Sequence, residues 1–194
     1  GRAFSDAAVQ LGLSSYPGFF SPAPPGRAHP YGVFTAGFVP QALPEHEVVL
    51  DDGTVVRIDP PPRTAPLEPL AGSPAPPPGD PGPTRRLPLG TLAGARSGDK
   101  GGDANIGLWV RDDAAYAWLA ALITEAAVRD LLPETADRPL RITRLPNIRA
   151  VNIVVEGLLG LGVAYHARFD PQAKGLGEWL RSRHVEIPDR LVRP

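Results

Sequence analysis

The chain has 194 residues, of which 42% are hydrophobic and 21% charged, and its formal net charge is −1. These values are typical of a globular protein with a sizeable core, and the balanced, interleaved charge argues against nucleic acid or a membrane surface as a partner. The sequence contains no cysteine, which excludes disulfides and thiolate sites and agrees with a reducing compartment. We therefore expect a cytoplasmic protein.

The first residue is Gly1, and there is no methionine anywhere in the sequence. A primary translation product begins with methionine, and no signal-peptide pattern opens the chain, so we expect a processed chain or a C-terminal piece of a longer protein. The longest apolar run, residues 151–164, is interrupted by Asn152, Glu156 and several glycines. It is shorter than the ~20 residues that a bilayer span requires, so we predict a core segment there.

Proline divides the sequence into unequal parts. Of the 24 residues from 60 to 83, 11 are proline, a composition that favours a PPII-like or disordered spacer. Before it, residues 7–13 predict a short strand or helix, and "HEVVLDDGTVVRI" predicts a hairpin around Asp52-Gly53. We interpret residues 1–59 as the tail of a larger domain, residues 60–85 as a linker and residues 86–194 as a small C-terminal domain.

Apolar periodicity in the C-terminal part predicts strands and helices in alternation. One helix begins at Asp112 or Asp113 with an apolar stripe that reaches Ala126, a second is capped by Asn147 and extends to Leu159, and a last one lies between Pro171 and about Arg183. Strands are predicted at residues 87–95, 104–110, 140–145 and 163–169 and in the closing "HVEIP". This order predicts an α+β fold over residues 86–187, a small sheet with helices on one face.

The glycine-rich stretch "ARSGDKGGDANIG", residues 95–107, is predicted to be a loop between two strands. Glycine exposes backbone N–H groups that can cradle an anion, and Arg96 and Lys100 add positive charge. The spacing fits neither the Walker A loop nor the dinucleotide-binding fingerprint. The alternative is an ordinary polar hairpin loop in which Asp99 and Asp103 accept backbone N–H bonds.

A second polar pattern occurs in "LPNIRAVNIVVEG". On a helix capped by Asn147, the side chains of Arg149, Asn152 and Glu156 would form one stripe, and an arginine near a helix N-terminus suits a carboxylate or phosphate ligand. The alternative is a solvated helix edge with an internal ion pair. The four histidines have no metal-ligand spacing and no serine lies in a nucleophile-elbow motif, so neither a metal site nor a hydrolase triad is predicted.

Three blocks of the sequence resemble one known family: "ARSGDKGGDANIGLWVR", "LPNIRAVNIVVEGLLGLGV" and "FDPQAKGLGEWLR" followed by "VEIP". In this order they look like the C-terminal domain of the acyclic terpene utilisation (AtuA-like) family, and "VPQALPEHEVVLDDGTVVRI" resembles the end of that family's larger N-terminal domain. The positions that match the family pattern are Arg96, Ser97, Gly98, Asp99, Lys100, Gly101, Asn105, Gly107, Pro146, Asn147, Arg149, Asn152 and Gly157.

The resemblance implies a ferredoxin-like sandwich for the small domain and a role in the catabolism of acyclic terpenoids such as citronellol and geraniol, which runs through CoA thioesters. A CoA thioester is then the expected substrate class, no cofactor is assigned, and the expected partners are a large N-terminal domain and further copies of the chain. Family members often have a residue other than glycine at position 102, and Gly102 is expected only to loosen the turn.

Two hypotheses about function follow. In the first, the loop from Arg96 to Asn105 and the helix start at Asn147 meet to bind a carboxylate or a CoA phosphate, with Asp99 and Lys100 as acid–base groups. The ligand-binding residues predicted for this site are Arg96, Ser97, Gly98, Gly101, Asn105, Asn147, Arg149 and Asn152. In the second, the small domain is a non-catalytic docking or oligomerisation module, tethered by a linker that reaches roughly 70 to 80 Å.

Overall fold

The computed structural model describes residues 2–14, 17–21, 23, 25–28, 30–66, 68, 74, 76–77, 80–165 and 167–192. The chain divides into two compact units, Gly1–Gly32 and Val33–Pro194. In the first unit, residues 7–13 belong to a helix, α1 (Arg2–Leu13), which buries none of its residues. Within the described ranges, no helix is long and apolar enough to cross a bilayer.

The predicted hairpin around Asp52-Gly53 is confirmed. Strands β1 (His46–Val49) and β2 (Val55–Ile58) pair in antiparallel register, and all their residues are exposed. In the turn, Asp52 Oδ1 accepts the N–H of Thr54 at 2.8 Å, a bond that lowers the pKa of the Asp52 carboxyl below its ordinary value. Because the apolar side chains of the hairpin are exposed, they are available for packing. A lone two-stranded hairpin is only marginally stable in water.

The rest of the second unit is an α+β domain, as predicted. Its four-stranded antiparallel sheet has the order β4-β5-β7-β6, and β5 and β6 run parallel with β7 between them, which is the split βαβ arrangement of ferredoxin-like folds. A separate ladder pairs β3 with β8. The elements are β3 (Thr84–Pro88), β4 (Gly94–Lys100), β5 (Asp103–Trp109), α2 (Asp113–Leu122), α3 (Glu125–Leu131), β6 (Leu140–Leu145), β7 (Ala150–Val155), α4 (Leu176–Arg181) and β8 (His184–Pro188).

The core lies on one face of the sheet. Alternate residues of β5 and β7 are fully buried there and join one cluster with side chains of α2, α3 and α4. The side chains in between occupy the other face, because successive residues of a strand point to opposite sides. Among the described residues of this unit, α2, α3 and α4 thus lie on one side of the sheet, as predicted, and the other side is called the open face below.

Polar side chains fix the helices at their ends. Asp112 Oδ1 accepts the N–H of Ala115 at 2.8 Å and caps α2, whereas Thr124 Oγ1 accepts from Ala127 at 3.2 Å and caps α3. The single helix predicted to reach Ala126 is therefore two helices. Arg144 donates from Nε and Nη2 to the carbonyls of Ala120 and Ile123, so a core-facing arginine binds the free carbonyl groups at the end of α2.

The prediction of a helix capped by Asn147 is wrong. Pro146–Ile148 forms a single 3₁₀ turn, Arg149 adopts the left-handed conformation with φ of 51°, and the next six residues are strand β7. Val151, Ile153 and Val155 alternate with period two, which suits a strand. The helix is predicted from a different set, Val151, Val154, Val155, Leu158 and Leu159, which fits a helical stripe. Residues 150–155 form a strand because β5 pairs with them on one side and β6 on the other.

Three further predictions are corrected. The strand predicted at 87–95 is interrupted, because β3 begins at Thr84 and ends at Pro88 and a 3₁₀ turn (Leu89–Thr91) follows. No strand forms among the described residues of 163–169, and His166 in that segment lies outside them. The last helix is only α4, preceded by a turn in which Asp170 accepts the N–H groups of Lys174 and Gly175. The prediction of a spacer falls partly on residues 67, 69–73, 75, 78 and 79, which are outside the described residues.

Ser97 ties strand β4 to helix α4. Its Oγ donates to the carbonyl of Lys174 at 3.1 Å and accepts the N–H of Gly177 at 2.8 Å. We expect Ser97→Ala to lower the free energy of unfolding by about 1–3 kcal/mol, because the partly buried Gly177 N–H loses its acceptor. Denaturant unfolding measures this effect.

The matched control is Ser182→Ala, since Ser182 Oγ donates to the carbonyl of Trp179 at an exposed position. An exposed substitution of this kind changes stability by about 0.5 kcal/mol or less. Equal losses in the two variants would contradict the role given to Ser97.

Candidate functional site

The glycine-rich stretch at 95–107 is not a loop but a hairpin. Strands β4 and β5 pair from Gly94↔Trp109 to Lys100↔Asp103, so only Gly101 and Gly102 turn the chain. Gly101 has φ of 64°, the positive angle that a two-residue hairpin turn requires at its first central position. Apart from Gly101 in the turn, the predicted site residues of this stretch therefore lie on strands, where alternation decides which of them share a face.

Register places one polar row across the open face. Arg96 of β4 lies opposite Gly107 of β5, Gly107 opposite Asn152 of β7, and Asn152 opposite Thr143 of β6. We call Arg96, Gly107, Asn152 and Thr143 the polar row. Neighbouring strands are about 4.8 Å apart, so Arg96 and Asn152 stand roughly 10 Å apart across the backbone of Gly107.

Asn105 joins the polar row from one side. Its Nδ2 donates to Oδ1 of Asn152 at 3.2 Å, and both side chains are partly buried. The two asparagines come from different predicted elements, and their contact joins polar side chains of the two predicted polar segments. With Oδ1 of Asn152 engaged in this way, its Nδ2 has no protein acceptor among the described residues.

Two glycines leave the open face bare beside the asparagine pair. A Cβ built at Gly98, which lies opposite Asn105, would meet nothing within 4 Å, and one at Gly107 would meet only the Arg96 carbonyl at 3.7 Å. Neither residue has a positive φ among the described residues. Since neither packing nor backbone conformation requires glycine here, these positions suit close approach by a ligand or another backbone.

Ion pairing on this face is incomplete, although Asp103 lies opposite Lys100 in the register. Over the described ranges, neither Arg96 nor Lys100 lies within 4.0 Å of a carboxylate oxygen, whereas Arg141 is paired with Glu156 at 2.7 Å. An exposed guanidinium without an ion pair is available to an external carboxylate or phosphate, which it can bind through two parallel hydrogen bonds.

The other predicted site residues lie elsewhere. Ser97 and Asp99 alternate with Arg96 and Lys100 and so belong to the face of the sheet that carries the helices. Arg149 donates to Asp113 Oδ1 at 2.6 Å, and its carbonyl accepts from Val110 at the far end of β5. From Asp103 to Val110 is about 23 Å of extended strand, so Lys100 and Arg149 mark opposite ends of the sheet. Asn147 is exposed in the 3₁₀ turn at the Arg149 end.

Thr143, Gly107 and Trp109 are open-face residues that the sequence prediction of the site omitted. Only the strand register brings Thr143 beside Asn152, and nothing in the sequence around it indicates that neighbour. Gly107 did carry a signal, because a glycine inside a strand often marks a place where a ligand or another backbone approaches closely. Trp109 lies across Gly94, where an added Cβ would overlap the indole ring.

Among the described residues, no group of three or more histidine, aspartate or glutamate side chains is arranged to hold a metal ion. The arrangement on the open face is instead one of amide and guanidinium donors around a side-chain-free strip. Donors of this kind are the groups from which a planar oxyanion accepts hydrogen bonds.

Comparison with known proteins places this geometry in a family. The family model of the AtuA ferredoxin-like domain matches residues 87–186, which is just over half of the 194 residues. The chain belongs to the AtuA-like family. The matched segment of this AtuA-like chain begins within β3, ends within β8 and contains the whole four-stranded sheet. Neither the curated proteins nor the solved structures contain a match to the chain.

Open-face glycines can be distinguished from a packing glycine by substitution. We expect Gly98→Ala and Gly107→Ala to leave the protein as stable or to raise the free energy of unfolding by about 0.5–1 kcal/mol, because alanine suits a strand interior better than glycine. Thermal unfolding measures the difference.

Gly94→Ala is the matched control on the same strand, since its Cβ would overlap Trp109 and overpacking costs about 1–3 kcal/mol. If Gly98→Ala destabilises the protein as much as Gly94→Ala does, glycine at position 98 is a requirement of folding and not of the site.

Proposed function

We propose that this AtuA-like chain acts in the catabolism of an acyclic terpenoid or a related branched acyl-CoA, and that its open face binds an anionic group of the ligand, a carboxylate or a CoA phosphate. The observation that carries the proposal is the contact between Asn105 and Asn152 beside an unpaired Arg96. Arg149 and Asn147 are not part of the proposed site, because they lie at the other end of the sheet from Lys100 and do not contact the same anionic group.

The chemistry of binding follows from the polar row. An oxyanion above Gly107 accepts two N–H bonds from the Arg96 guanidinium on one side and one from Asn152 Nδ2 on the other. Asn105 holds the Asn152 amide in this orientation by donating to its Oδ1. The absent side chain at Gly107 is what lets the anion approach the sheet.

Lys100 and Asp99 take different roles in the proposal. Lys100 lies on the open face at the hairpin end and is the group suited to proton transfer or to a second phosphate contact. Asp99 lies on the other side of β4 and acts on the ligand only through the position of the strand. Further catalytic groups would come from a large N-terminal domain, in a cytoplasmic homo-oligomer.

Calorimetric titration of the chain with CoA, a branched acyl-CoA and the free branched acid tests this proposal. We expect Arg96→Gln to weaken binding by about tenfold or more, the effect of losing a charged hydrogen-bond partner, and Asn152→Leu to act in the same direction. Arg57→Gln is the control, because Arg57 is an exposed strand arginine on the separate hairpin. Binding that is unchanged in both open-face variants would refute the site.

A second function, docking, is favoured by a specific observation on the same face. Next to the polar row, Trp109 and Leu145 flank Ala150, and they are 45% and 37% exposed, while Ile148 in the adjoining turn is 66% exposed. Exposed large apolar side chains gathered at one place are typical of a protein interface. This end of the open face would then contact another copy of the chain.

Light scattering over a range of protein concentrations tests the docking function. We expect Ile148→Asp to shift a dimer or larger assembly towards the monomer, because a charge at the centre of an apolar contact is left without a partner. Val49→Asp places the same charge at an exposed position of the hairpin and serves as the control. A wild-type chain that is monomeric throughout, or a shift of equal size in the control, would argue against this interface.

A further inference from the structure

A second cluster of positive charge lines a cavity that is separate from the open face. The cavity has a volume of about 330 Å³ and lies between β3, the end of α3 and the start of β8. Arg86, Arg183 and His184 line it together with a single carboxylate, Asp130. We call it the basic cavity. It shares no residue with the polar row.

The ladder of β3 and β8 brings these basic residues together. His184 opens β8 and pairs with Pro88, and Arg86 lies two positions before Pro88 on β3, so the two residues project from the same side of the ladder. Arg183 directly precedes β8, and its carbonyl accepts the N–H of Leu89 at 2.7 Å. Backbone hydrogen bonds of the ladder therefore hold these three basic residues close together.

The surroundings of the Arg183 guanidinium are unusual. Its guanidinium carbon lies over the Trp179 ring, 4.4 Å from the ring centre, a cation–π contact that restricts the position of the guanidinium. Its Nε is buried and has no hydrogen-bond partner among the described residues. Buried donors are nearly always paired in folded proteins. Because Nε is shielded, the two Nη groups of Arg183 are the donors that this guanidinium can offer to a ligand.

Charge compensation is also incomplete in the basic cavity. In the part of the chain that the structure describes, neither Arg86 nor Arg183 lies within 4.0 Å of a carboxylate oxygen. Glu186, opposite Arg86 in the ladder, accepts instead from Thr84 Oγ1 at 2.8 Å. Asp130 offsets one of the two arginine charges, so the lining keeps a net positive charge even with His184 neutral.

We propose that the basic cavity binds an oxyanion, a phosphate or carboxylate group, through Arg86 and Arg183, with the Nη groups of Arg183 donating hydrogen bonds. The volume is near the lower end of the range for ligand sites, about 300–1,000 Å³, which suits a small anion or the anionic end of a larger molecule. This site is independent of the function proposed for the open face, and either can fail without the other.

Titration of the chain with inorganic phosphate, and separately with acetate, tests the proposal, with sodium chloride of equal ionic strength as the reference. We expect phosphate or acetate to raise the melting temperature beyond the chloride reference and to change the tryptophan fluorescence, because the bound anion alters the charge over Trp179. The ion with the higher affinity identifies the class of oxyanion. Trp179→Phe should lose the fluorescence change but keep most of the thermal shift.

Variants of the two arginines decide the outcome. Arg86→Gln and Arg183→Gln should each weaken anion binding by about tenfold or more, because each removes a charged hydrogen-bond donor. Arg85→Gln is the control, since Arg85 is the neighbour of Arg86 on β3 and is paired with Asp189 at 2.6 Å. If Arg183→Gln does not fold, the exposed Arg86 still provides the test. Neither ion exceeding chloride, or binding retained in Arg86→Gln, would overturn the proposal.

Discussion

Pairing of β5 with β7 is the interaction on which the rest of this domain depends. Ala104, Ile106 and Leu108 lie opposite Val155, Ile153 and Val151 in register, and all six side chains are fully buried. Burial of each of the larger ones contributes about 1.5–3 kcal/mol. A slip of one residue would bury Asn105 and Asn152 and expose the apolar set, so the register is strongly determined. The same register therefore fixes both the core and the polar row on the other side of the sheet.

The glycines of the β4–β5 hairpin serve three distinct purposes. Gly101 supplies the positive φ of the turn. Gly102 does more than loosen it, contrary to the expectation from the sequence, because a Cβ there would overlap the Gly160 carbonyl and its own carbonyl accepts from Leu159 at 2.8 Å. Gly98 and Gly107 keep the open face bare. The high glycine content of this stretch thus has three structural causes: a turn, a backbone packing contact and a strip of sheet without side chains.

The two positively charged regions differ in how they are built. Arg96 projects from an edge strand onto an exposed face, where water competes for its hydrogen bonds and the amides of Asn105 and Asn152 supply the geometry. Arg183 is held against Trp179 with a buried, unpaired Nε, so its orientation is set before any ligand arrives. Preorganised donors lose less entropy on binding, and in this respect the anion site proposed in the basic cavity differs from the one proposed on the open face.

Periodicity and turn chemistry in the sequence determined the α+β class, the β1–β2 hairpin, and strands β5 and β6, because each depends on neighbours within a few residues. Arg96, Asn105 and Asn152 are predicted from residue type and family resemblance; the structure brings them to one face of the sheet, and their role in binding stays a prediction. Tertiary structure decided whether residues 150–155 are helix or strand, because their apolar pattern fits both periods and only the flanking strands select one. It also decided which polar residues meet. Strand alternation sends Ser97 and Asp99 away from Arg96, and register brings Thr143 to Asn152 from another part of the chain. Contacts of that kind join residues far apart in sequence, where no local pattern records them.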